Sequence, residues 1–275
     1  MSTHRIVFLG VGNLASAMVH GLLDKEVYTP SEIACTSRTN VTAKKLATVT
    51  GITHEADLSL LLAPADVVVV AFKPQSLASA DPRLAELTGG KLVISVLAGK
   101  TTKTLAKTFP KARNIIRTMP NTPLRIGAGM TAYCTRSPLK SADKAKVQRI
   151  LHAFGEYTRL PEKQMNAATA LGGSGPAFLF EFVAGLRDAG IAAHLPDKIA
   201  LKIAVETVLG AARLLARRIA ENKKETPETL RDKVTSPNGT TYAGLQVLAG
   251  RQFRETLKET ILAATRRAGE LSRDS

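Results

Sequence analysis

The sequence predicts an α/β chain, with a doubly wound parallel sheet in its N-terminal part and an all-helical domain after it. Three observations predict this. Short β-branched runs alternate with helical stretches over the first 160 residues. One of these runs, Val67–Val70 in DVVVVAFK, is apolar on both faces, as a strand covered on each side must be. After GEYTRLP at 155–161 the apolar period changes from two to 3.6 and stays there. The expected division is therefore 1–161 for the sheet domain and 162–275 for the helices.

Taken in order, RIVFLG, EIACTSR, DVVVVAFK, KLVISVLAG, RNIIRTMP and GMTAYC read as strands. Between them NLASAMVHGLLDKE, NVTAKKLATVT, DLSLLLAP and TTKTLAKTF read as helices, with Asn13, Asn40 and Thr101 or Thr102 as caps. In the second half, IALKIAVETVLGAARLLARRIA is rich in Ala, with a glycine at Gly210, and apolar around much of its circumference. It is either an interior helix or a subunit interface. A domain of this size has limited core in which to hide it, which favours the interface.

Composition narrows the function classes. With 275 residues and 44% hydrophobic content, the chain builds substantial cores. No stretch approaches 18 uncharged apolar residues, and MSTHRIVFLG enters a strand pattern without a signal-peptide cleavage site, so a cytoplasmic, membrane-free protein is expected. Cys35 and Cys134 lie in apolar runs without metal-ligand spacing, which predicts reduced core thiols and no metal site. The 38 Lys plus Arg against 23 Asp plus Glu leave a net charge of +15, most of it in residues 1–160. Aromatic residues are only 4% and are not interleaved with the bases, so a solvated surface or attraction for a small phosphorylated ligand is favoured over nucleic acid.

The first strand runs into GVGNLASAMVHGL, where Gly10, Gly12 and Ala15 match G-x-G-x-x-G/A after a strand and opening a helix. In that setting Gly10 permits the tight turn, Gly12 lets backbone approach a pyrophosphate, and Ala15 lets helix and strand lie close, so a Rossmann-type dinucleotide site is expected. The second strand ends in Ser37, Arg38 and Thr39, with no acid to hold a ribose 2′-hydroxyl. A guanidinium and hydroxyls there suit a 2′-phosphate, hence NADPH over NADH; the bland alternative is a surface loop. Two rigid, proline-bearing loops, Phe72-Lys73-Pro74 and Met119-Pro120-Asn121, follow strand ends at the edge where cofactors bind in open α/β sheets. Lys73 there either donates a proton, contacts ribose and phosphate, or does neither.

Two further stretches stand out in the helical half. In ALGGSGPAFLFEF, Gly172, Gly173 and Gly175 loosen the chain before Pro176 restarts a helix. Either something approaches there or a helix kinks in a close-packed interface. In TSPNGTTYAGLQVL, Pro237 and Asn238-Gly239 force a turn, and Thr240 or Thr241 is a natural N-cap for the helix that follows. The turn is a capped corner or an anion site made of backbone N–H groups and hydroxyls.

GVGNL, AFKPQ, RTMPNTP, GGSGPA, GAARLL and SPNGTT, in this order and spacing, resemble the pyrroline-5-carboxylate reductases, and the resemblance spans nearly the whole chain. It implies a Rossmann domain followed by an all-helical C-terminal domain that binds substrate and dimerises, with dimers assembling into larger rings up to a decamer. It also implies reduction of Δ1-pyrroline-5-carboxylate to L-proline with NADPH, NADH serving less well. By the same resemblance Gly10, Gly12, Asn13, Leu14, Ser37, Arg38, Phe72, Lys73, Pro74, Ala98, Met119 and Asn121 hold the cofactor. Ser236, Gly239, Thr240 and Thr241 then receive the substrate carboxylate, Thr241 reaching the ring nitrogen as the catalytic residue, in a site shared between subunits. This chain departs from the family pattern with Asn238 in place of the second glycine of SPGGTT, Ala249 where an acid often follows the leucine, and Leu14-Ala15 where Met-Gly is common. Hydroxyacid reductases of related architecture need a lysine on the helix leaving the first domain, and none occurs from Gly172 to Arg187. Amine and imine reductases are the remaining enzyme alternative.

Overall fold

The computed structural model describes residues 4–273. Eight strands form one sheet in the order β3-β2-β1-β4-β5-β6-β7-β8. They are β1 Ile6–Leu9, β2 Ile33–Thr36, β3 Thr53–His54, β4 Val67–Val70, β5 Leu92–Ser95, β6 Asn114–Met119, β7 Gly129–Thr135 and β8 Gly155–Arg159. All neighbours are parallel except β6 and β7, which pair antiparallel from Ile116↔Thr135 to Met119↔Ala132. The strand order reverses between β1 and β4, which opens a crevice at the carboxyl ends of those two strands.

Alternation along each strand explains the continuous apolar runs. Ile6, Phe8, Val67 and Val69 face one core, with α1 (Asn13–Asp24), α2 (Val41–Thr50) and α6 (Ser141–His152) upon it. Val7, Leu9, Val68 and Val70 face the other, beneath α3 (Leu58–Leu62), α4 (Leu84–Leu87) and α5 (Thr102–Thr108). The four valines of β4 are fully buried, each contributing roughly 1.5–3 kcal/mol relative to exposure.

Three elements carry too little pattern to be read ahead. β3 has only two residues, β8 (GEYTR) buries neither face fully, and α6 buries a narrow stripe at Val147, Ile150 and Leu151 behind a charged surface. The caps also differ from expectation in places. Thr101 caps α5 by accepting from the Thr104 N–H at 3.0 Å, as its spacing predicts. Asn13, by contrast, is the first residue of α1, and the cap is Gly12.

Contacts gather the chain into two units, one running to Pro176 and including the chain from Leu262 on, the other Ala177–Ile261. The first unit also holds α7 (Met165–Ala168) and a π-turn at Thr169–Gly173. The second is built from α8 (Gly175–Ala192), α9 (Asp197–Glu221), α10 (Pro227–Lys233), α11 (Thr240–Gly250) and the start of α12 (Phe253–Arg273). Little of it is buried within one chain: Ala200 and Ala204 are the buried residues of α9, while Phe180 is 67% and Leu214 53% exposed. A groove lined by Tyr242, Leu245, Leu248, Phe253 and Leu257 adds to this uncovered apolar surface. An apolar helix this exposed is an interface, not an interior element.

Candidate active site

The crevice between β1 and β4 is built around Gly10. Its φ is +98°, and an added Cβ would lie 2.5 Å from the Phe72 backbone nitrogen and 2.6 Å from its Cα, so the turn after β1 presses directly on the loop after β4. Gly12 is different. Its φ of −114° suits any residue and an added Cβ would meet nothing within 4 Å, so the bare protein gives no reason for a glycine there. The open space lies at the N-terminus of α1, whose first-turn N–H groups receive no side-chain cap. A cradle that a Cβ would fill, backed by uncapped N–H donors, fits a pyrophosphate. Asn13 is exposed, Leu14 half-buried, and Ala15 fully packed against the sheet, as the fingerprint requires.

The other strand ends surround this crevice. After β2, the Ser37 hydroxyl accepts from the Ala43 N–H at 3.2 Å and so fastens the start of α2. Asn40 takes φ +59°, and Arg38 is exposed. Phe72 is half-buried; the exposed Lys73 precedes the short 3-10 turn Pro74–Leu77. After β5, Ala98 is exposed, and the neighbouring Gly99, with φ +74°, lets the last turn of α12 approach: its Cβ would lie 3.0 Å from the Leu271 carbonyl oxygen.

At the end of β6, Met119 and Asn121 are half-buried around a buried Pro120. Asn121 does not leave its carboxamide open: Oδ1 accepts from the Met130 N–H at 2.9 Å, and Nδ2 donates to the Gly172 carbonyl at 3.0 Å. The same strand carries Arg117, nearly fully buried, whose Nη1 donates to Glu162 at 2.9 Å. Glu162 also receives the Thr102 hydroxyl and backbone N–H. Burial pushes the Glu162 carboxyl up, but the bonds from Thr102 and Arg117 outweigh it and hold the group below the usual glutamate range. Partners 45 and 60 residues apart left no signal in the sequence that could have joined them.

In the second unit the turn before α11 has a compact form. Asn238 adopts φ +58°, and the Gly239 N–H donates to the Ser236 carbonyl at 3.1 Å. A Cβ on Gly239 would collide with the Ser236 hydroxyl oxygen. The expected threonine cap is corrected here: Gly239 is the N-cap, it makes no side-chain cap bond, and Thr240 and Thr241 are the first two residues of α11. The Asn238-Gly239 turn ends one residue earlier than a threonine cap would need, so both threonines adopt helical backbone. Thr240 and Thr241 are exposed, and no N-cap side chain takes up the first-turn N–H groups of α11.

Residues 162–271 match the family model described as pyrroline-5-carboxylate reductase dimerisation, and residues 5–99 match that described as NADP oxidoreductase, coenzyme F420-dependent. A pyrroline-5-carboxylate reductase of Synechocystis is 38% identical over 268 residues, 96% of this chain and 97% of that protein. The chain belongs to the pyrroline-5-carboxylate reductase family.

Solved structures agree along the full length. A pyrroline-5-carboxylate reductase from Coxiella burnetii superposes with a TM-score of 0.88 at 34% identity, covering 98% of this chain and 99% of that one. The Plasmodium falciparum pyrroline carboxylate reductase, solved with NADP bound, gives 0.82 at 26% identity, covering 99% of each. Membership accounts for the exposed apolar helices of the second unit, since the matching region is a dimerisation domain: the protein is a homo-oligomer and its substrate a small molecule. Among the described residues no helix is long and apolar enough to cross a membrane. Cys35 and Cys134 are free and buried, burial pushing their thiols up to about 11 and about 12.

Proposed function

We propose that this chain reduces Δ1-pyrroline-5-carboxylate to L-proline with NADPH, and that the residues described above divide the work as follows. Gly10, Gly12, Asn13 and Leu14 hold the pyrophosphate by backbone approach at the start of α1. Ser37 and Arg38 hold the 2′-phosphate, while Phe72, Lys73, Pro74, Ala98, Met119 and Asn121 border the rest of the cofactor from the ends of β4, β5 and β6. When bound, NADPH supplies the hydride that saturates the carbon–nitrogen double bond.

Ser236, Gly239, Thr240 and Thr241 receive the substrate carboxylate at the N-terminus of α11, where N–H groups, hydroxyls and the helix dipole favour an anion. Thr241 is the group assigned to the ring nitrogen, holding the protonated imine in place. Reduction of an iminium removes no proton from oxygen, so orientation and charge placement carry the catalysis. The division 1–161 for nucleotide and 162–275 for substrate and dimerisation, assembly beyond the dimer toward a decamer, cytoplasmic operation without nucleic acid, and NADH as a weaker substitute belong to the same reading. The observation that carries it is the uncapped turn at Ser236–Thr241, set in a chain that shares 38% identity with a named reductase over 96% of its length.

Initial rates with pyrroline-5-carboxylate, NADPH against NADH, test this directly. Arg38→Asp is expected to move the kcat/KM ratio toward NADH by about 10- to 100-fold, the worth of charge-assisted bonds to one phosphate. An unchanged ratio would mean that Arg38 does not read the 2′-phosphate.

A further inference from the structure

We infer that Asn121 is a positioning residue, clipping the π-turn at Thr169–Gly173 onto the carboxyl edge of β6; the inference rests on the cofactor reading above but gives this side chain a different task. The ladder between β6 and β7 ends at Met119↔Ala132. The Met130 N–H lies beyond that last pair, and the Asn121 Oδ1 accepts it at 2.9 Å, taking the place of the next backbone rung. The other end of the same carboxamide donates to the Gly172 carbonyl, 51 residues away in sequence, at 3.0 Å.

The clip joins three pieces of backbone. One is the Met119-Pro120-Asn121 edge. The second is the start of β7, and the third is the π-turn, closed by the Ser174 N–H on the Thr169 carbonyl at 2.9 Å. Met119 packs against the same turn, since a Cβ on Gly173 would come 2.7 Å from its Cε. Only a carboxamide meets these demands at this length, because one planar group must accept at one end and donate at the other. Aspartate can accept but not donate when ionised, and alanine does neither.

Insertion of a π-turn into helical structure is uncommon and is found mostly at functional sites. Here it is held against one of the strand ends that border the cofactor. Most of the binding free energy would come from the phosphate contacts at Gly10–Leu14 and Ser37–Arg38, on other strands. Releasing the clip therefore leaves nucleotide affinity and loses alignment of the reacting ring.

The test uses the full-length chain with Asn121→Ala and Asn121→Asp. Four quantities are measured: amide hydrogen exchange without nucleotide, NADPH Kd by fluorescence titration, kcat and KM with pyrroline-5-carboxylate, and Tm. In Asn121→Ala, exchange at Met130 and across Gly172–Ser174 should rise while the rest of the sheet is unchanged, and the Kd should stay within about twofold. kcat should fall about 10- to 100-fold, the scale of a misplacement near 1 Å. In Asn121→Asp, which keeps the Met130 bond, the exchange increase should be confined to the π-turn; this variant decides the matter if the alanine form does not fold. A tenfold or larger rise in Kd with unchanged exchange would overturn the inference in favour of a direct nucleotide contact. Unchanged kcat with raised exchange would show that the clip does not align anything. An inactive wild-type chain would instead overturn the assigned reaction, and the clip would still stand or fall on exchange and affinity.

Discussion

Gly10→Ala is expected to remove most NADPH affinity and to lower Tm by several degrees at once. The added methyl meets the Phe72 backbone nitrogen at 2.5 Å and its Cα at 2.6 Å, and neither can swing aside as a side-chain tip could. A φ of +98° adds strain that no L residue avoids, of order 1–3 kcal/mol. Relief requires the loop after β4 to move, and with it Lys73 and Pro74. Stability and binding are therefore lost together. Gly12→Ala makes the contrast: with φ −114° and no neighbour within 4 Å, it should leave Tm unchanged. Its methyl would nonetheless stand where the pyrophosphate approaches, raising the NADPH Kd by about tenfold or more. Thermal melts beside fluorescence titrations separate the two, and equal behaviour of the variants would refute the assigned division of labour.

Thr241→Ala is expected to lower kcat/KM for pyrroline-5-carboxylate by about 10- to 100-fold, the range for losing one hydrogen bond to a charged group. Thr241 is exposed at the second position of α11 and its side chain does not cap the helix, so the folded chain loses little when the hydroxyl goes. NADPH affinity should stay within about twofold, because the change leaves every proposed nucleotide contact in place. Parallel loss of substrate use and nucleotide binding would mean that Thr241 acts on the fold instead of the substrate.

Much of the nucleotide half was legible because its chemistry is local. Gly10, Gly12 and Ala15 lie within six residues, and the valines of β4 declare a strand buried on both faces. The turn before α11 was also legible as a turn, since Pro237 and Asn238-Gly239 leave little choice, and Asn238 does adopt a positive φ. Its cap was not. Threonine propensity pointed to Thr240 or Thr241, whereas the tight Ser236–Gly239 closure starts the helix one residue sooner. What escaped the sequence entirely were partnerships across long separations: Arg117 with Glu162, Thr102 with Glu162, and Asn121 with Gly172. Each is a polar side chain whose role is fixed by backbone brought in from elsewhere, and no periodicity records that. Interior or interface, the question posed by the Ala-rich helix, needed exposure to decide. Once α9 is seen to bury only Ala200 and Ala204 in its own chain, its Leu, Ile and Val content points to another subunit.

The central claim is that this chain carries a hydride from the nicotinamide to the imine carbon of a cyclic amino acid. NADPH bearing deuterium at both C4 positions, incubated with the protein and Δ1-pyrroline-5-carboxylate, tests it most directly through mass analysis of the product. The account predicts L-proline carrying a single deuterium at C5, formed at the rate at which NADPH is consumed. Unlabelled proline, or consumption of NADPH without proline, would contradict it.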